Sequence, residues 1–504
     1  MMDYRRILHA TSEVVRVFSL LMLLPIAIAF AYEPYDLTVL GLSMPRNVLV
    51  FLGSGLLMAL YWLPVQVGTA AVKDDDLQDR EAYLVVGIGW LVLTMFAMTP
   101  FLLSRTFDSP IDAWFETMSG LTTTGATVMS GVLEDVPRSI MFWRALLQYI
   151  GGMGIIVLSV AILARLTHGG VQLLQAETPG PSVTKLAPKL AQTAKTLWAV
   201  YALFTGILFV ILLVLFLERG MSGGDAFYDA LLHTFTTLST GGFSNHSASI
   251  AYYDSWLIEG VIVAFMLIAA TNFTLLFHAT HGEWRPLLRD REWRFFIGMF
   301  VGVVLVATGS LWRLGASLFD ALRDSLFTVA TMATGTGYVT ADYNTWPDGL
   351  KLMLLILMLT GGAAGSTTGG MKVVRIMLLI KVVRREIRKL LHPRAVIPLR
   401  LGGRVLKEET LFTAIAFFFS FVTIWIIGAW ILIAIEPGMD AFSGAVLSAA
   451  ALANIGPSMG LFGPTEHLSD LSASSKLLMT GLMWFGRLEI FTGLLLFSPA
   501  AWRK

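Results

Sequence analysis

The chain has 504 residues, of which 56% are hydrophobic and only 14% charged, with a formal charge of +1 and no cysteine. Soluble domains carry roughly a quarter charged residues, so this composition argues against a string of soluble domains and for an integral membrane protein. Lack of cysteine excludes a disulfide framework, a thiolate zinc site and a cysteine nucleophile, and the near-neutral balance argues against nucleic acid as a partner.

A helix crosses a hydrocarbon core with about 20 apolar residues. Such runs occur at Val14–Tyr32, Asn47–Val72, Ala82–Ser104, Ser139–Leu166, Ala194–Leu217, Ser255–His278 and Phe295–Leu311. A glycine-interrupted run at Leu350–Ile380 follows, then Thr410–Ile435 and Leu477–Phe497. These predict about ten spanning helices. The first run has Arg5 and Arg6 before it and Ala29-Phe30-Ala31 near its end, which is also a signal-peptide pattern; a retained helix is the reading adopted. With a cytoplasmic N-terminus, residues 1–16, segments 73–81, 165–195, 281–294 and 372–407 and the C-terminal tail hold 26 of the 36 Lys and Arg. Cytoplasmic loops carry such an excess. The +1 total is therefore a cancellation between a positive inner face and an acidic remainder, which would concentrate cations where it faces outward.

The opposite connections carry an internal repeat. Asp112 to Gly125, Asp229 to Gly242 and Asp324 to Gly337 each run thirteen residues from an Asp, through an apolar stretch, to a Thr/Ser/Gly turn. Each reads as a short helix capped by its Asp. The fourth, Asp440 to Gly456, is sixteen residues long and departs by about one helical turn. The unit is helix, half-length re-entrant segment, glycine turn, helix. Its expected fold class is an all-α polytopic membrane protein with four such repeats around one pore, after two extra N-terminal helices. Irregular backbone inside a membrane must line a cavity or be buried in protein. Four turns around one axis would aim helix C-terminal ends, backbone carbonyls and threonine hydroxyls at the centre, as in a potassium selectivity filter. Polar loops over capped helices, with no ion, are the plainer alternative for any single turn.

The motifs Thr-Thr-Thr-Gly125-Ala-Thr, Ser-Thr-Gly-Gly242-Phe-Ser, Thr-Gly-Thr-Gly337-Tyr-Val and Ala-Asn-Ile-Gly456-Pro-Ser, in this order, resemble the Trk/Ktr/HKT superfamily of potassium transport proteins, in its Trk-type (TrkH-type) membrane subunits. The resemblance covers nearly the whole chain. It implies that glycine in all four turns goes with potassium, the permeant ion. The filter residues it implies are Thr123, Thr124 and Gly125; Thr240, Gly241 and Gly242; Gly335, Thr336 and Gly337; and Asn454, Ile455 and Gly456. The third turn departs from the commoner Thr-Thr-Thr-Gly pattern, and the thirteen-residue spacing favours Gly337 over Gly335 as its filter glycine.

The eighth run breaks at Thr360 to Gly370, roughly 16 Å in from Leu350 at 1.5 Å per residue. No Gly-Lys-Ser/Thr follows, so this is no phosphate loop. Glycine for close helix packing is one reading; a loop beneath the filter that blocks or opens the pore is the other. The resemblance implies the second, with Gly361, Gly362, Gly365, Gly369 and Gly370 in the gate. Arg487 lies near mid-membrane, where a charge is expensive. It faces the pore or pairs with another helix, and the resemblance implies that it projects into the permeation path near the gate. His278 and His281 lack a third ligand and read as interfacial; Asn272 reads as bonding a neighbouring helix.

The expectation is therefore potassium uptake across the inner (plasma) membrane, with the N-terminus cytoplasmic and no catalysed chemical step. The expected division is 1–72 for the N-terminal extension, then repeats at 73–170, 171–282, 283–400 (with the gating loop) and 401–504. No covalent cofactor is expected. The resemblance implies a homodimer and a cytosolic nucleotide-binding regulatory subunit (TrkA type), which alone would hold nucleotide. The basic 372–407 and 281–294 segments suit such a partner, or anionic membrane lipid. A cation-coupled secondary transporter of alternating-access type is the competing reading; its inverted repeats fit less well than four parallel units. An embedded enzyme fits worst, for want of a nucleophile–base set or metal cluster.

Overall fold

The computed structural model describes residues 4–39, 42–70, 79–129, 133–163, 187–395, 397–401, 404–406, 408–464 and 466–502. Of the connections expected at 73–81 and 165–195, residues 73–78 and 165–186 lie outside the described residues. Helices make up almost everything else; the strands form two short antiparallel ribbons, Leu37–Val39 with Leu42–Met44 and Arg400–Leu401 with Arg404–Val405.

Among the described residues, six helices are long and apolar enough to cross a membrane, and two bent pairs raise this to eight. The first runs over Tyr4–Tyr32 and begins ten residues before the apolar run does. Its early turns are amphipathic, burying Ile7, Thr11, Val15 and Phe18 at helical spacing against the helices Arg46–Gly68 and Asp79–Ala97. The burial pattern is that of a protein dissolved in lipid. Leu60, Leu305, Phe412 and Trp430 on long helices are each more than 60% exposed, while Thr117, Ser119, Thr236, Thr331 and Ser448 are fully buried. In hydrocarbon the polar groups must find partners inside the protein. The chain is a multi-pass membrane protein.

Four short helices organise the interior: Pro110–Leu121, Gly223–Leu238, Leu318–Thr334 and Ala441–Leu452. Each packs against the long helix before it and the helix after it. The helix after each short helix also packs on the next short helix, and Ala473–Arg487 returns to Pro110–Leu121, so the contacts close into a ring.

The caps differ from expectation. Ser109, Ser222 and Ser317 cap the first three short helices, and Asp440 caps the fourth. Asp112 sits in the first turn, while Asp229 and Asp324 lie well inside their helices. Ser222 and Ser317 each accept from the backbone N–H three residues on and donate to that residue's carboxylate, Asp225 or Asp320. The serine thus caps the helix while the acid in the first turn holds its hydroxyl, and this start outbids an Asp further along. Counted from the true caps, the first and fourth segments are the shorter pair and the second and third are one turn longer, so Gly456 is no outlier.

Two expected spans are broken. Ser255–His278 is Trp256–Ala269 and Phe273–Thr280, bent by 109°; the last span is Ala473–Arg487 and Phe491–Phe497, bent by 118°. Asn272 ends the first break by accepting from Thr274 N–H, and Glu489 and Ile490, both at positive φ, make the second. The eighth run is likewise two helices, Asp348–Thr360 and Val373–Leu391, separated by the glycine-rich loop.

Candidate functional site

The four short helices end at the four turns, and the turns share one geometry. The N–H groups of Thr124, Gly241, Thr336 and Ile455 each donate to the carbonyl five residues back, at 2.8–3.0 Å. The preceding residue is left-handed in every case: Thr123, Thr240, Gly335 and Asn454, with φ between 52° and 71°. This correspondence pairs Gly337, not Gly335, with Gly125, Gly242 and Gly456. A left-handed non-glycine residue costs about 1–2 kcal/mol, and the third repeat avoids that cost by placing Gly335 there. Replacing Gly335 by alanine is therefore expected to leave transport and ion preference nearly intact, its Cβ meeting Ile455 Cγ1 at 3.3 Å. Gly337→Ala is expected to abolish one or both, since its Cβ would stand 2.8 Å from Pro457 Cδ. Parallel flux assays on the two variants check this.

The glycines stand where the turns touch one another. A Cβ on Gly125 would lie 2.1 Å from Gly241 O, one on Gly242 1.9 Å from Thr336 O, and one on Gly456 2.5 Å from Gly125 O. With Gly337 against Gly456 N at 3.2 Å, the contacts run from turn one through two, three and four back to one. No side chain fits at these crossings. The helix C-terminal ends lie directly before the turns, and their partial negative charge favours a cation there.

Threonine hydroxyls serve the ring partly from the side. Thr124 bonds Thr122 and Thr336 bonds Thr334, both at 2.7 Å. Asn454 Nδ2 donates to Thr124 Oγ1 and to Met483 O, joining turn four to turn one. Gly241 O accepts from Gln148 Nε2 at 2.7 Å, and Gln148 Oε1 accepts from Phe243 N–H, so a side chain of repeat one braces turn two.

Sequence reasoning missed these braces. Glu116 and Arg144, both fully buried, pair at 2.6 Å. Glu116 also accepts from Thr127 Oγ1 and Val128 N–H, and Arg144 donates to Ser244 O and lies over the Phe243 ring. The pair ties the segment leaving turn one to the segment leaving turn two. Tyr338 ties turn three to Thr236 and Thr237 of the second short helix. An amide, an acid and an arginine inside apolar stretches were the available signal. Removing one member of a buried pair leaves an uncompensated charge, so Arg144→Met is expected to cost about 3–5 kcal/mol, seen as an early unfolding midpoint in detergent. Further out, Ser247 N–H and Oγ both donate to Glu134. Burial pushes that carboxyl up, but the Ser247 bonds outweigh it and hold it below the usual carboxylate range.

Beneath the ring lies the loop between Thr360 and Val373. Gly361, Gly365 and Gly370 take positive φ, as does Lys372. A Cβ on Gly362 would lie 2.8 Å from Thr368 Cγ2, and one on Gly369 2.3 Å from Ala453 O, so the loop rests against the fourth turn. Thr367 Oγ1 reaches Leu238 O and Thr240 Oγ1 beside the second turn. The loop's outer edge lies on the break at 270–272: Ala363 N–H donates to Ala270 O, Phe273 N–H to Gly365 O, and Asn272 Nδ2 to Ala364 O. Asn272 therefore bonds the loop rather than the neighbouring helix expected for it.

Arg487, 6% exposed, ends its helix with its guanidinium inside the protein. It donates to Thr367 O at 2.9 Å, Gly151 O at 2.7 Å and Gly152 O at 3.2 Å. It thus bridges the loop to the helix Arg138–Leu163. Glu489 turns away and pairs with Lys372 (3.0 Å) and Arg375. Gly152, Ser366, Gly369 and Arg487 line a cavity of about 20 Å³, room for about one water. His278 bonds Glu283 and His281 bonds Phe277 O; they do not converge, and no metal-binding group of three occurs among the described residues.

The family profile for TrkH, cation transport protein, matches residues 59–504. The chain belongs to this family. It is 38% identical to the Trk system potassium uptake protein TrkH of Escherichia coli K12, each chain covered in full. It is 34% identical to the Trk system potassium uptake protein TrkG of the same strain, over 99% of both. The crystal structure of the potassium transporter TrkH from Vibrio parahaemolyticus superposes with a TM-score of 0.85 at 35% identity, covering both chains completely.

Proposed function

We propose that this TrkH-family chain takes up potassium through a pore along the axis of the four-turn ring. The observation that carries the reading is the closed ring of glycine turns with four helix C-terminal ends directed at it. Carbonyl oxygens at Gly125, Gly242, Gly337 and Gly456, with those of the preceding residues, replace the hydration shell of a dehydrated potassium ion. Sodium, being smaller, is not held as well by oxygens that the glycine contacts keep apart. The 361–372 loop is the gate: it lies under the ring and Arg487 holds it there. No bond is made or broken in transport, so the chain is not an enzyme, and potassium is cargo rather than cofactor.

The names of the relatives support potassium as the ion. The repeat boundaries expected from sequence, 73–170, 171–282, 283–400 and 401–504, each contain one short helix and one turn. The basic excess supports a cytoplasmic N-terminus, with the 281–294 and 372–407 segments on the same side of an inner membrane. A homodimer with a TrkA-type nucleotide-binding subunit docked on those segments completes the proposal. Alternating access would need a two-state rocking of repeats; a ring closed by turns from all four repeats favours a fixed filter with a separate gate.

The test is direct. Purified chain in liposomes loaded with potassium or with sodium is expected to pass rubidium tracer or potassium readily and sodium far more slowly. Sodium passing as fast as potassium would sink the filter, and a strict flux coupling to a proton or sodium gradient would favour the secondary transporter.

A further inference from the structure

The backbone of Ala364 is held on both sides by side chains from outside the loop. Asn272 Nδ2 donates to Ala364 O at 2.7 Å. On the other side, Ala364 N–H donates to Glu292 Oε1 at 2.8 Å. The same Oε1 accepts from Val374 N–H at 3.2 Å. Val374 lies in the first turn of Val373–Leu391, whose opening N–H groups have no acceptor within the helix. The residue at the cap position, Lys372, makes no side-chain cap bond and carries no acceptor in its side chain. A carboxylate from another helix therefore caps this one, where negative charge suits the helix N-terminus. One oxygen thus joins the middle of the loop to the start of the helix that follows it.

Glu292 stands in the first turn of Arg291–Arg313, directly after the short helix Trp284–Arg289. The corner between them is stiff: Asp290 accepts from Trp293 N–H, and Arg294 donates to Arg289 O and Asp290 O. Trp284 and Leu288 of the short helix are exposed. A force on that surface segment reaches Glu292 through one rigid turn.

We propose that Glu292 is the positioning residue through which the 284–290 segment holds the 361–372 loop in its closed place. The proposal rests on the reading of that loop as the gate. When the segment shifts, the carboxylate withdraws, the Ala364 and Val374 N–H groups lose their acceptor together, and the loop and the helix behind it are freed at once.

The chain contains no cysteine, so a single introduced thiol reports on the loop alone. Ala364, nearly fully buried, becomes Cys in otherwise wild-type, Glu292→Ala and Glu292→Gln chains, all in liposomes. Maleimide labelling and rubidium flux are measured on each. Glu292→Ala is expected to raise both rates about tenfold, since two N–H groups lose their shared acceptor at once. Glu292→Gln, which keeps an acceptor oxygen in place, is expected to stay near the wild type. If Glu292→Ala does not fold, Glu292→Asp, one methylene short, takes its place with the same expectation. Wild-type rates in the Ala or Asp variant, or a Gln variant indistinguishable from it, overturn the proposal. Gly365→Ala separates this from the underlying reading, because its Cβ would strike Asn272 Nδ2 at 2.8 Å and dislodge the loop whatever Glu292 does. Raised flux there with an inert Glu292→Ala discards Glu292 and keeps the gate; unchanged flux in both discards the gate as well.

Discussion

Gly456→Ser is expected to reduce the preference for potassium over sodium by at least about tenfold, equivalent to ~1.4 kcal/mol of discrimination. The added Cβ would stand 2.4 Å from Gly125 C and 2.5 Å from Gly125 O, so the first turn has to move. Gly125 carries the same constraint onward, because its own Cα faces Gly241 O. Displacement of one carbonyl is thereby passed to a second turn, and the oxygen spacing on which the proposed filter relies is lost. The ratio of potassium to sodium flux in liposomes measures the effect. An unchanged ratio in a folded variant would remove the ring crossings from selectivity. The same substitution at Gly335 has no such reach, since Gly335 faces a side chain that can shift rather than a backbone that cannot.

Arg487→Ala is expected to raise basal leak by about tenfold or more, because three bonds from a charged donor, each worth about 1.5–3 kcal/mol, disappear together. Those bonds join Thr367 of the loop to Gly151 and Gly152 of the first repeat's second helix. Both glycines also let that helix lie against the ends of the first and second short helices: a Cβ on Gly151 would meet Leu121 O at 1.9 Å, and one on Gly152 the Ser239 Cα at 2.8 Å. The bend next to Arg487 is expected to survive its loss, because Glu489 keeps Lys372 and Arg375. Arg487→Lys, a compact cation without the planar fork, is expected to leak at an intermediate rate. Rubidium efflux from liposomes containing the chain alone measures all three proteins; equal leak would take Arg487 out of the gate.

Much of the architecture was legible because a bilayer demands long apolar runs and because one motif recurs four times. Glycine spacing located all four turns, and the turn geometry puts the favoured Gly337 in register with Gly125, Gly242 and Gly456. The breaks at 270–272 and 488–490 were not legible. Apolar residues run through both, and periodicity has no term for a chain that turns by 109° or 118° while staying apolar. The caps were misjudged for a local reason: Asp229 and Asp324 sit inside longer helices that begin at serines, and a propensity argument stops at the first good capping residue it meets. Gln148, Glu116, Arg144 and Glu292 were passed over because a lone polar residue in a helix does not announce its partner. Most of their partners lie 28 to 100 residues away in sequence.

Composition, the long apolar runs and the repeated Asp-to-Gly unit were enough to specify a membrane-spanning chain with four glycine turns, since each reflects a local cost of placing charge, backbone or glycine in lipid. Folding alone decided that the four turns close on one another, that Gly335 and Gly337 hold different places, and that Arg487 and Glu292 grip one loop from opposite sides. Those outcomes depend on which carbonyl faces which glycine across separate repeats, so closely that an added Cβ would lie only 1.9–2.5 Å from it, an approach that arises only when the helices pack.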